Sequence, residues 1–331
     1  MNLLLCGQWE PQERDEWAEW LRGRLGPGHV LHLGREGIDA SAIEVAIVAN
    51  PPPGSLMGLP RLRLIQSLWA GVDRLLGDAT LPPGVPLARM VDPSMSAAMA
   101  ETALWAVLSQ HRDFMRYAAQ QRERLWQPHA QWRADEWPVL VLGFGEMGRM
   151  VADRLARQGY PVLAWSRTRP AQNVAGVRSV HGEEALRSAL ADARTVINLL
   201  PLTEATRGLL DRRFFASMRP GAGLVNLGRG AHLNEADLLA ALNEGRVGHA
   251  VLDVFAHEPL AEDHAFWRHP QVSVLPHVAA RVPDNSPHRL VPPTAVDVCR
   301  DRMLVVGGRR GVSYPRLPAA RRRAAQPARR H

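Results

Sequence analysis

The sequence predicts an α/β protein of two domains, each built on a parallel sheet covered by helices. Three observations predict it. The chain has 331 residues, enough for about two domains at roughly 100–200 residues each. Short apolar runs alternate with helical patterns along most of its length. One of those runs, Val139–Leu142, leads directly into Gly143-x-Gly145-x-x-Gly148, a strand turning tightly into a helix.

In the first hundred residues, Leu3–Cys6, Val30–Leu33, Val45–Ala49, Leu62–Leu68 and Pro86–Met90 read as strands. Glu13–Leu25 places Trp17, Trp20, Leu21 and Leu25 at helical spacing. Asn50-Pro-Pro-Pro-Gly54 and Pro82-Pro-Gly84 punctuate them as loops. Ser94 to about Arg124 reads as one long helix, able to bridge two domains. A second series follows, with strands at Val139–Gly143, Val162–Trp165, Thr195–Leu199, Gly223–Asn226, Ala250–Val254 and Val272–Leu275. Helices at Glu183–Leu190, Leu210–Phe215 and Glu235–Asn243 lie between them. The expected domains are 1–97, completed by a return segment at 282–331, and 98–281.

Composition narrows the function classes. Hydrophobic residues are 46% and charged residues 22%, close to a globular average, which excludes disordered, collagen-like and coiled-coil chains. No apolar run approaches the roughly 18–20 residues that span a bilayer, so no membrane partner is expected. Leu3–Cys6 is short and lacks a basic flank, so it reads as a strand and not a signal peptide. The two cysteines, Cys6 and Cys299, cannot form a disulfide framework, and no CxxC or HExxH spacing points to a metal. A cytoplasmic protein is the default. The net charge of +7 suggests nucleic acid until it is located. Residues 282–331 hold eleven Arg and three Asp, leaving −1 on the other 281 residues. No nucleic-acid partner is expected, and the basic end reads as a solvated segment.

The glycine motif carries cofactor chemistry. Gly143 permits the turn, Gly145 lets backbone approach a pyrophosphate, and Gly148 lets helix pack on strand. Glu146 and Met147 complete the loop, and the Glu146 side chain should point to solvent. The helix N-terminus offers free N–H groups to phosphates. The end of the second strand selects the cofactor. An acid there would hold a ribose 2′-hydroxyl. Here Ser166 takes that place, flanked by Arg167 and Arg169, which suit a 2′-phosphate. NADP(H) is therefore preferred, with NAD(H) possible.

Three further segments, Asn226-Leu-Gly-Arg-Gly230, Leu252-Asp-Val-Phe-Ala-His-Glu-Pro259 and Leu275-Pro-His-Val-Ala-Ala280, each follow a predicted strand. Ligands of open α/β sheets bind at that edge, so Arg229, Glu258 and His277 could converge there. With Ser67-Leu-Trp-Ala-Gly-Val-Asp73, Trp165-Ser-Arg-Thr-Arg169 and Ile197-Asn-Leu-Leu-Pro-Leu-Thr203, these motifs fall in a familiar order. Over about residues 1–281 the chain resembles the NAD(P)-dependent D-2-hydroxyacid dehydrogenases, and among them the glyoxylate/hydroxypyruvate reductases.

The resemblance implies two Rossmann-like or flavodoxin-like domains with the active site in the interdomain cleft. It implies NADPH-dependent reduction of small 2-oxoacids such as glyoxylate and hydroxypyruvate. Arg229 is expected to clamp the substrate, with the N–H groups of Gly71 and Val72 on the other carboxylate oxygen. His277 is the expected proton donor, and Glu258 its partner. Asp253 is expected to hold the nicotinamide carboxamide, and Leu200, Pro201 and Thr206 to line the cofactor cleft. A homodimer is also implied. Asn50–Pro53, Trp69 and Trp267 are candidates for side-chain selectivity. The competing readings are a dehydrogenase for a larger 2-oxoacid and a catalytically weakened NADP-binding interaction protein. After Ala280 the resemblance ends: Pro283, Pro287, Pro292 and Pro293 interrupt what should be a helix. Thr294–Val306 could still form a short one. The acid-free stretch beyond it fits a shifted reading frame, with a specialised tail as the alternative.

Overall fold

The computed structural model describes residues 1–170 and 172–282. The expectations for the return segment, the short helix at Thr294–Val306 and the shifted frame lie outside those residues. The described chain forms two compact units, divided between Val91 and Asp92.

The first unit contains β1 (Asn2–Gly7), α1 (Pro11–Arg22), β2 (Val30–His32), β3 (Ile43–Ala49), β4 (Leu64–Ser67), α2 (Asp73–Leu76) and β5 (Leu87–Ala88). Its strands run parallel in the order β2-β1-β3-β4-β5, a flavodoxin-like arrangement. The middle strands are buried on both faces: Leu3, Leu5, Val45 and Ile47 enter one core, and Leu4, Ala46 and Val48 the other. Such two-sided burial explains why these strands are continuous apolar runs without alternation.

The second unit opens with α3 (Pro93–His111) and α4 (Phe114–Arg122). The expected single helix is thus broken. Asp113 sits in the left-handed region at φ 54°, which a short polar side chain tolerates. His111 anchors the end of α3, with Nε2 at 2.7 Å from the Trp132 carbonyl and Nδ1 at 2.9 Å from the Tyr160 hydroxyl. After α4 come β6 (Val139–Leu142), α5 (Glu146–Arg157), β7 (Val162–Ser166), β8 (Val177–His181), α6 (Glu183–Asp192) and β9 (Thr195–Asn198). Then follow α7 (Arg212–Ser217), β10 (Ala222–Asn226), α8 (Glu235–Asn243), β11 (Val247–Leu252) and β12 (Val272–Val274). The helix expected at Leu210–Phe215 starts later, because Leu210 instead bridges to Leu233.

The strands of this unit are all parallel, in the order β12-β11-β10-β9-β6-β7-β8. From β6 the chain steps outward to β8, then returns to the other side of β6 at β9. That reversal is the switch point of a Rossmann sheet, where ligands bind beyond the carboxyl ends of the strands. Val139–Leu142 are fully buried, facing alternate cores. Among the described residues, no helix is long and apolar enough to cross a membrane.

Candidate active site

The glycine loop lies at the switch point. Gly143 has φ 96°, and a Cβ there would press on the backbone of Leu199 and Leu200. The loop after β6 therefore touches the loop after β9 backbone to backbone. A Cβ on Gly148 would collide with the Gly143 carbonyl, so the start of α5 packs directly on the turn. Gly145 caps α5 and is exposed. Met147 packs on the core beneath. Glu146 does not simply project into solvent: its Oε2 lies 2.6 Å from Arg149 Nη2, one turn along α5. The pairing offsets a negative charge that a pyrophosphate would oppose.

At the end of β7, Arg167 and Arg169 are exposed. The Ser166 hydroxyl donates to the Thr168 carbonyl at 2.7 Å, closing the turn that presents them. Beyond β9, Leu200 is buried and Pro201 exposed. The Thr206 hydroxyl donates to the Pro201 carbonyl at 2.8 Å and accepts from the Thr203 N–H at 2.8 Å, folding this segment back on itself.

The structure brings His277 and Glu258 together. His277 Nδ1 lies 2.7 Å from Glu258 Oε2. The other oxygen, Oε1, accepts from the Phe255 N–H at 2.9 Å, so the carboxylate is oriented by its own loop. In this geometry His277 Nδ1 donates to Glu258 Oε2, which leaves Nε2 for another partner. The His277 side chain is 55% exposed. Its backbone is in the left-handed region at φ 54°, a conformation that must be held in place by its surroundings.

Asp253 supplies that hold. It is buried, and its two oxygens accept from the N–H groups of Val278 at 2.7 Å and Ala279 at 3.0 Å. Burial pushes its carboxyl up, and the two N–H bonds oppose that shift. In this structure the residue acts on the loop behind His277.

Arg229 follows β10, Glu258 follows β11 and His277 follows β12, three neighbouring strands. Arg229 is half-buried, with Nη1 donating to the Gly228 carbonyl at 2.8 Å. A Cβ on Gly230 would collide with the Phe255 carbonyl group, so the Arg229 loop lies against the Glu258 loop. Behind them is a fully buried polar set that the motifs did not reveal: Asn198, Asn226 and His232. Asn198 and Asn226 stand inside quoted motifs, but His232 gave no signal beyond its place three residues after Arg229.

In the first unit, Gly71 and Val72 precede α2, with Val72 as its N-cap. Among the described residues no group of His, Cys, Asp and Glu is arranged to hold a metal.

Comparison with known proteins places this geometry in a family. Residues 104–279 match the sequence profile described as D-isomer specific 2-hydroxyacid dehydrogenase, NAD binding domain. The chain is 41% identical over 273 residues to glyoxylate/hydroxypyruvate reductase A of Yersinia enterocolitica, covering 81% of this chain and 86% of that protein. It is 42% identical over 271 residues to the Serratia proteamaculans protein of the same name, covering 80% and 85%. Among solved structures, a D-isomer specific 2-hydroxyacid dehydrogenase from Xanthobacter autotrophicus Py2, in complex with NADPH and MES, superposes with a TM-score of 0.80. Its identity is 36%, over 90% of this chain and 94% of that one. The NADPH-dependent glyoxylate/hydroxypyruvate reductase of Sinorhizobium meliloti, in complex with NADP and sulfate, gives 0.74 at 31% identity, over 85% and 89%. The resemblance read from the motifs is borne out: the chain belongs to the D-isomer specific 2-hydroxyacid dehydrogenase family.

Proposed function

We propose that the protein is an NADPH-dependent reductase of small 2-oxoacids, with glyoxylate and hydroxypyruvate as its substrates. The observation that carries this reading is the 2.7 Å pair of His277 and Glu258, beyond the ends of β12 and β11, the two strands next to the one that Arg229 follows in a Rossmann sheet. The residues present fit NADP(H). Gly145 leaves room for a pyrophosphate at the N-terminus of α5, on a turn that Gly143 and Gly148 let pack closely. Arg167 and Arg169 suit a 2′-phosphate, and no carboxylate stands at Ser166 to repel it. Leu200, Pro201 and Thr206 are assigned to the cofactor cleft. When bound, the nicotinamide supplies a hydride to the substrate carbonyl carbon.

The chain's own residues do the rest. The Arg229 guanidinium forks onto the substrate carboxylate and its 2-oxo oxygen. The N–H groups of Gly71 and Val72 are assigned to the remaining carboxylate oxygen. His277 donates its Nε2 proton to the carbonyl oxygen, giving the 2-hydroxyacid and a neutral imidazole that regains a proton from water. Glu258 accepts from Nδ1 and so holds the ring in orientation for that transfer. These assignments make the first unit the substrate-binding domain and the second the nucleotide-binding domain, with the boundary before α3 at Val91/Asp92 and not at the expected 97/98, which would fall inside that helix.

A cytoplasmic homodimer completes the proposal. Trp105, Phe114, Leu125, Trp126 and Trp132 are exposed between α3 and the stretch after α4, Trp126 at 98%. Large apolar side chains left exposed along one stretch of the chain suit a protein interface. Sedimentation of the purified protein tests the dimer. The activity is tested by loss of NADPH absorbance with a panel of 2-oxoacids. Turnover of glyoxylate and hydroxypyruvate is expected. A preference for bulky 2-oxoacids would overturn the substrate assignment, and no turnover with any would overturn the enzyme.

A further inference from the structure

We infer that His232 is a positioning residue that ties the cofactor-side loop to the substrate-binding arginine. The inference rests on the function proposed above. His232 has no exposed surface and lies three residues beyond Arg229. Its Nδ1 faces two N–H donors, the Asn198 side-chain amide at 2.8 Å and the Arg229 backbone at 3.3 Å. Nδ1 must therefore accept, and the proton of the neutral ring sits on Nε2. That nitrogen is 3.3 Å from the Pro201 carbonyl, to which it donates.

The ring thus joins two loops beyond different strands. Asn198 ends β9, and its Oδ1 accepts from the Leu200 N–H at 3.2 Å. Its amide also donates to Asn226 Oδ1 at 2.9 Å, and Asn226 donates to the Arg229 carbonyl at 3.3 Å. Arg229 is consequently held at its N–H by His232 and at its carbonyl by Asn226. Pro201 is held by the far side of the same ring. A buried polar set of this kind has one low-energy arrangement, because any flipped ring or amide leaves donors facing donors.

The two ring nitrogens can be tested separately. His232→Asn keeps an acceptor near Nδ1 and loses the Nε2 donor. His232→Gln keeps a donor near Nε2 and loses the Nδ1 acceptor. For the full chain, NADPH affinity is read by fluorescence without substrate, and glyoxylate KM and kcat by NADPH absorbance. H232N should weaken NADPH binding about three- to tenfold and leave the glyoxylate KM within about twofold. H232Q should raise the glyoxylate KM about three- to tenfold, with kcat and NADPH affinity within about twofold. A simple loss of packing would move both readouts together in both variants, and that result overturns the inference, as does no change in either. Neutron diffraction of the wild-type protein needs no variant: deuterium is expected on His232 Nε2, and deuterium on Nδ1 overturns the inference. Wild-type protein that binds NADPH but reduces no 2-oxoacid overturns the proposed function instead, a result distinct from all of these.

Discussion

The two flanks of the switch point hold their functional side chains in different ways. On the β9–β12 flank, backbone groups fix the polar side chains. Asp253 accepts from Val278 and Ala279, Glu258 from Phe255, and His232 from Arg229. On the β7 flank, Arg167 and Arg169 stand exposed on a short turn closed by Ser166. The difference suits the work proposed for each flank. Proton transfer to a carbonyl needs donor and acceptor within about 3 Å in a set direction. Attraction of a phosphate to flexible cations tolerates far more freedom. Substitutions on the packed flank should therefore damage turnover or stability, and substitutions on the open flank should change cofactor preference.

The largest effect is expected at His277. His277→Ala should lower kcat by about 10²–10⁴-fold, the usual contribution of a general acid. NADPH binding, read by fluorescence, should survive. Near-normal turnover would remove His277 from the chemistry and end the contrast at its strongest point.

A histidine on the packed flank also predicts a pH dependence of stability. His249 on β11 is held by Ser273, with Nε2 2.9 Å from its hydroxyl. Burial pushes its imidazole down from 6.5 to about 4. Above pH 6.5 both the native and the unfolded ring are neutral. As the pH falls below that, the unfolded chain takes up a proton that the native fold refuses, so stability declines until about pH 4. The decline attributable to this ring is about 3 kcal/mol. Denaturant unfolding at pH 7 and pH 4 should show a smaller loss for His249→Gln than for wild type. Equal losses would mean that the ring titrates normally and that the strand is less closed than its burial indicates.

Asp253 separates two roles for one carboxylate. If it chiefly holds the His277 loop, Asp253→Asn leaves one of two backbone N–H groups facing an amide donor, at a cost of about 1–3 kcal/mol. The His277 backbone then relaxes from its left-handed conformation, and kcat should fall about tenfold with little change in the NADPH KM. The opposite pattern, a raised NADPH KM at constant kcat, would favour the carboxamide contact that the family resemblance implies.

Much of this was legible in the sequence. The glycine spacing after Val139–Leu142 marked the switch point, because turn and close packing both demand glycine there. The placement of Arg229, Glu258 and His277 at strand ends was legible because each follows an apolar run that reads as a strand, while their roles came from the family resemblance. The break at Asp113 was not legible, since neither glycine nor proline marks it. Nor was β8: its residues are only partly buried or exposed, so no apolar run announces an edge strand. His232 was hidden for a different reason. A polar residue in a loop normally faces water, and only the fold reveals that the Asn198 amide and the Arg229 N–H wait to pair with it. Asp253 was visible as a residue, but its two backbone partners lie 25 and 26 positions away, beyond any local pattern.

The smallest effect is expected on the open flank, where Arg167 and Arg169 should set the choice between NADPH and NADH. A charge-assisted hydrogen bond is worth about 1.5–3 kcal/mol when well shielded. Both side chains are exposed, so solvent and salt screen them and each contribution falls below that range, to about 0.7 kcal/mol. Replacing both with alanine should raise the NADPH KM about tenfold in total. NADH has no 2′-phosphate, so its KM should stay within about twofold. Two further readouts distinguish charge from shape. The NADPH effect should shrink as salt is raised, because screening already weakens the wild-type contact. Ser166→Asp should penalise NADPH again, and it gives NADH a ribose hydroxyl partner. If both cofactors suffer equally in the double alanine variant, the arginines merely support the turn after β7, and the two flanks are alike after all.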